Sequence, residues 1–141
     1  MKPDYELIEH TADIFIKAYG HSLAEAYAAV AEAMFLQMVD ETEIAEIEEV
    51  VLTIDGLDSE QLLVSFLSEL IVVHETRSLV LGRVEVQFTP DYQLTARCWG
   101  EKFDEQKHRH GLMFKAVSYH LMEIVPPSGD SPAYVKVLFD I

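Results

Sequence analysis

Ile14-Phe15-Ile16-Lys17-Ala18-Tyr19-Gly20-His21-Ser22-Leu23-Ala24-Glu25 contains the change of period from which the fold follows. Up to Tyr19 the chain alternates, with Ile14, Ile16 and Ala18 on one face and Phe15, Lys17 and Tyr19 on the other, which is the pattern of a strand. Gly20 ends it. Ser22 and Glu25 then stand at the spacing of a capping box, in which the serine hydroxyl accepts from the backbone three residues on and the glutamate reaches back. Beyond them Leu23, Ala26, Tyr27, Val30, Met34 and Met38 recur at intervals of three and four, so an amphipathic helix of about five turns starts here. Glu25 and Glu32 are expected outside its apolar stripe. Its tyrosine and methionines read as core, since Met fills irregular gaps.

Working outward, residues 4–8 read as a second short strand, separated from the first by the polar break Glu9-His10-Thr11-Ala12-Asp13. Glu41 to Glu49 is acidic and non-alternating, an exposed connection or the fraying end of the helix. Val50 to Ile54 is rich in β-branched residues and ends at Asp55-Gly56, a strand followed by a turn. Asp58 is placed to cap a second helix, whose stripe is Leu62, Leu63, Phe66, Leu67, Leu70 and Ile71. Glu69 falls beside that stripe, and His74 reads as a satisfied histidine near the helix end. Two further alternating runs, Leu79 to Phe88 and Leu94 to Trp99, flank Thr89-Pro90-Asp91-Tyr92 and form a hairpin. Cys98 faces inward on it. Gly100 to Gly111 reads as a polar loop in which His108 and His110 are ordinary exposed histidines. A strand-like or strand-to-helix run from Phe114 to His120 and a last strand from Tyr134 to Asp140 close the chain. The sum is one α+β domain over residues 1–141, a β-sheet with two long amphipathic helices packed on one face.

The totals constrain function. With 10 Lys+Arg against 25 Asp+Glu the formal net charge is -15. Such a surface repels phosphate backbones, so direct nucleic-acid binding is disfavoured and a basic protein or a cation is the better partner. No apolar run approaches the roughly 20 residues of a membrane span. A single cysteine, with no secretory signal, makes an intracellular, cytoplasmic location the default. Phosphate-binding loops, nucleophile elbows and zinc-ligand motifs are missing, so an enzyme lacks its usual signs.

What remains is a set of polar residues at element ends: Asp13, Glu69, Glu101, His110, Lys115 and Asp140. Each also reads as cap, turn or surface charge. Asp13 and Asp140, with the α-carboxylate of Ile141, offer hard oxygen ligands. Such donors select calcium, magnesium or manganese over zinc.

The motif Glu9-His10-Thr11-Ala12-Asp13 followed by Ile16-x-Ala18-Tyr19-Gly20 is one of several that run in order through the chain. The others are Leu62-Leu63-x-x-Phe66-Leu67-x-Glu69-Leu70, Gly100-Glu101, Lys115-Ala116-Val117-Ser118-Tyr119-His120 and the terminal Asp140-Ile141. Together they resemble the archease family, with Phe66 where tryptophan is common and Ser118 where threonine is. The resemblance implies a non-catalytic activator of the manganese- and GTP-dependent RNA ligase of tRNA splicing, promoting its guanylylation and multiple turnover. It implies Asp13, Asp140 and Ile141 as a metal site, calcium first among hard cations, and Lys115 as a residue of ligase activation. His10, Glu69, Glu101 and His110 form a wider circle of candidates. A general chaperone of RNA-modifying enzymes such as tRNA methyltransferases is the alternative, and a metal-dependent hydrolase a more distant one.

Overall fold

The computed structural model describes residues 3–8 and 13–141. The elements follow the order β1 (Tyr5–Ile8), β2 (Asp13–Gly20), α1 (Leu23–Met38), β3 (Glu48–Asp55), α2 (Ser59–Arg77), β4 (Leu79–Thr89), β5 (Gln93–Lys102), β6 (Ala116–Val125) and β7 (Ala133–Asp140). Both helices start where the capping residues place them. Ser22 Oγ accepts from the Glu25 amide at 3.2 Å, and Glu25 Oε1 accepts from the His21 amide at 3.0 Å. Asp58 Oδ1 accepts from the Gln61 amide at 2.8 Å, and Gln61 returns the bond by accepting from Leu57. These caps satisfy amides that have no partner inside the helix.

The strands divide between two antiparallel sheets, where the sequence had suggested one. One sheet has the order β1-β2-β7-β6, the other β3-β5-β4. Helix α1 packs on β2 and β7 of the first sheet and on β4 of the second, while α2 meets β6 as well as β3, β4 and β5. The helices therefore join the two sheets through one continuous apolar core. This position explains a further departure. Helix α1 is buried on more than a stripe, with Ala28, Ala31, Ala33 and Phe35 enclosed beside the expected residues. Glu32, expected outside the stripe, is drawn half inside, where it accepts from the Val84 amide at 2.8 Å. Burial pushes its carboxyl up to about 7, against the opposing effect of that hydrogen bond.

The C-terminal end of α1 is closed by the long connection between β5 and β6. Gly111 donates to Met38 O and Leu112 to Gln37 O, both at 2.9 Å, covering carbonyls the helix leaves open. A Cβ at Gly111 would collide with Gln37 O, so only glycine permits this approach. The same connection delivers Phe114 against Phe139, ring centroids 5.0 Å apart and nearly perpendicular. That contact fixes the entry to β6 beside the end of β7.

Candidate functional site: a carboxylate row at the end of the four-stranded sheet

Strand β2 begins with Asp13 and β7 ends with Asp140, and the antiparallel register sets these two residues opposite each other. Asp140 is also the register partner of Ala116 in β6. The Lys115 amide donates to Asp140 O at 2.9 Å. A row across three neighbouring strands thus reads Asp13, Asp140, Ala116, with Lys115 and Ile141 adjoining it. Since successive side chains alternate, Asp13 lies on the face opposite the buried Ile14 and Ile16, and Asp140 opposite the buried Phe139. As cross-strand partners the two carboxylates share one face of the sheet, Asp140 exposed and Asp13 half-buried, with Cβ atoms about 5 Å apart.

Two like charges directly across a ladder repel, and a cation between them offsets that repulsion. The donors are all oxygen, which suits a hard divalent ion. Among the described residues no group of three or more His, Cys, Asp or Glu side chains gathers as a metal site. A cation at the row would draw on the two aspartate side chains, with Ile141 adjoining them. The residues present fit such an ion.

The remaining candidates lie elsewhere. Glu69 is exposed on α2. His10 lies outside the described residues. His110 is exposed, 3.6 Å from Glu105 and packed by its ring against Phe103 at 5.2 Å. Glu101 belongs to the three-stranded sheet and is buried. Its Oε2 accepts from Lys107 Nζ at 2.6 Å, the Ala45 amide at 2.7 Å and His108 Nε2 at 2.9 Å. Burial alone would raise its pKa, but these three hydrogen bonds and the Lys107 charge hold it at about 2.

His108 corrects the sequence reading. Expected on the surface, it is 2% exposed. Its Nδ1 accepts from the Asp104 amide at 3.0 Å, so the ring proton sits on Nε2 and is donated to Glu101. The ring also stacks on Phe103 at 5.5 Å. A polar loop sequence conceals such a residue, because nothing local indicates that a carboxylate in the preceding strand will take it in. The other local readings stand: His74 Nδ1 lies 2.9 Å from Leu79 O at the end of α2, and Cys98 is fully buried, its thiol pushed up to about 12 mainly by burial.

Residues 5–141 match the model of the archease protein family (MTH1598/TM1083). The chain belongs to the archease family. It is 42% identical to protein archease of Pyrococcus furiosus over 123 residues, covering 85% of this chain and 87% of that protein. With protein archease of Sulfolobus acidocaldarius it shares 36% identity over 138 residues, covering 97% and 98% of the two chains. The solution structure of Methanobacterium thermoautotrophicum protein 1598 is similar, with a TM-score of 0.70 and 32% identity over 97% of this chain and 98% of that one. The archease fold is therefore the frame in which the carboxylate row is presented. No helix among the described residues is long and apolar enough to cross a membrane.

Proposed function

We propose that this archease is a non-catalytic activator of the GTP- and manganese-dependent RNA ligase of tRNA splicing, promoting guanylylation of the ligase and its multiple turnover. The observation that carries the reading is the cross-strand pairing of Asp13 with Asp140, to which Lys115 is tied through its backbone. Asp13 and Asp140, with Ile141 adjoining them, would hold a hard divalent cation, calcium first, with magnesium or manganese as alternatives. Such an ion supplies local positive charge and fixes the geometry of the tip. Lys115 stands beside it as a cation able to meet a phosphate or a carboxylate of the ligase. With a formal net charge of -15, the protein is suited to dock on a basic, RNA-binding cleft, and attraction of this kind speeds encounter.

The test is RNA ligation by the cognate ligase at substoichiometric enzyme, with GTP and manganese, in the presence and absence of this protein. Sustained turnover that is lost with Asp13→Ala and Asp140→Ala, while the variants stay folded, supports the reading. Unchanged activation by both variants removes the row from the mechanism. No activation by the wild-type protein turns attention to a chaperone role for other RNA-modifying enzymes.

A further inference from the structure

A second feature lies away from the carboxylate row. Strand β2 carries the chain from Asp13 to Gly20, roughly 24 Å at the usual rise per residue, before α1 begins. There the N-termini of α1 and α2 meet the β4–β5 hairpin around a cavity of about 360 Å³. That volume falls within the range of small-ligand pockets.

Three aromatic rings line it. Tyr27 and Phe88 stand with centroids 4.9 Å apart and planes at 88°, making two walls of a corner. Tyr92, about half exposed, comes from the hairpin turn. Leu23 and Leu62 add aliphatic surface. Among the described residues Asp91 is the one charged side chain of the lining, and no lysine, arginine or histidine lines it. Asp58 and Glu60, at the start of α2, extend the negative field to Tyr27.

The pocket is held in shape by its own hydrogen bonds. Tyr27 OH donates to Ser59 O at 2.8 Å, and the Gly56 amide donates to Tyr92 O at 2.8 Å. Gln93 Nε2 donates to Asp55 Oδ1 at 2.6 Å and accepts through Oε1 from Thr89 Oγ1 at 3.0 Å. Asp91 and Tyr92 both adopt positive φ, 66° and 54°, in a turn where glycine or asparagine would be at ease. An anion would be repelled here, and a cation would be drawn to the exposed Asp91 carboxylate beside Tyr92. A flat cation on an aliphatic stem answers both the rings and the carboxylate.

We propose that this pocket receives an arginine side chain presented by a protein partner. The guanidinium stacks against the accessible rings of Phe88 and Tyr92 and pairs with the Asp91 carboxylate, while its methylenes lie against Leu23 and the buried Tyr27 and Leu62 back the wall. Arginine fits better than lysine because its plane can stack and its paired N–H groups match a carboxylate. The net charge of -15 favours such a partner as a whole. The proposal does not depend on the carboxylate row or on the ligase.

The probe is the pentapeptide acetyl-Gly-Gly-Arg-Gly-Gly-amide, compared with the same peptide carrying citrulline, a neutral isostere, in amide-resolved NMR titrations at physiological salt. Saturable shifts centred on residues 56–62 and 88–93 are expected for the arginine peptide, with at least fivefold weaker binding of the citrulline peptide. Tyr92→Ala and Asp91→Asn, both at exposed positions, should each weaken the arginine peptide at least fivefold, and Asp91→Asn should leave the citrulline peptide unchanged. Equal binding of the two peptides, or shifts scattered over the acidic surface without saturation, would overturn the assignment.

Discussion

Two carboxylate sites in this archease are built in opposite ways. In the three-stranded sheet, Glu101 is enclosed and answered from within: a lysine, a neutral imidazole N–H and a backbone amide all converge on one oxygen. At the end of the four-stranded sheet, Asp13 and Asp140 are register partners, acid opposite acid. The first arrangement ties two loops to a strand. The second brings together two like charges that a cation from outside the chain can bridge. A carboxylate held by three internal donors is a structural fastener, while the cross-strand acid pair is the feature that the proposed cation would bridge.

The largest expected effect falls on the row. Asp13→Ala and Asp140→Ala should each lower the ligase turnover supported by this protein at least tenfold, with thermal stability within about 1 kcal/mol of wild type, as for surface substitutions that break no core contact. A matching loss of stability would mean that the row fastens the fold, and the contrast would collapse.

Glu101→Ala should show the reverse. It strands the buried His108 ring N–H and the Ala45 amide and releases Lys107 to solvent, and removing the anchor of such a network costs about 3 kcal/mol. Denaturant unfolding measures it. Because the Glu101 carboxyl is held at about 2 against an ordinary value near 4.5, its contribution is fully present above 4.5 and is lost as pH falls from 4.5 through 2. Acid unfolding of wild type should therefore include a component in that window which Glu101→Gln lacks.

Glu32 sharpens the comparison from the opposite side, since its one backbone hydrogen bond does not make up for burial. With its carboxyl raised from near 4.5 to about 7, the folded state binds the proton more tightly than the unfolded chain. Stability then falls as pH rises from 4.5 to 7 and levels off above. Glu32→Gln keeps an acceptor for the Val84 amide and removes the charge. It should stabilise the protein by about 1 kcal/mol at pH 8, allowing for partial exposure, and by almost nothing at pH 4.5. Equal gains at both values would show that charge is not the cause. The smallest effect belongs to His110→Ala, within about 0.5 kcal/mol in thermal unfolding, since its contact with Glu105 is long and solvent-exposed.

Much of the fold was legible because local signals agreed with one another. The alternation of Ile14, Ile16 and Ala18, the Ser22–Glu25 box and the Asp58 cap each specify an element within a few residues, and the elements form there. The division into two sheets was not legible. Alternation reports that a strand has a buried face but not which sheet supplies its neighbours. Glu32 and His108 were misjudged for a related reason, since one was placed by the pattern of its own helix and the other by the polarity of its loop. Their burial depends on Val84 and Glu101, which are distant in sequence or lie in another element. Asp13 and Asp140 come from opposite ends of the chain, and no spacing rule joins them. The family motifs singled them out, and the β2–β7 register shows how the chain brings them together.

Calcium titration by isothermal calorimetry tests the contrast most directly, using wild type, Asp140→Asn and Glu32→Gln with no tag after Ile141. Saturable binding to one site in wild type and Glu32→Gln, abolished in Asp140→Asn, is the expected result. Binding undiminished in Asp140→Asn, or no saturable binding to the folded wild-type protein, would contradict the view that the row holds such a cation.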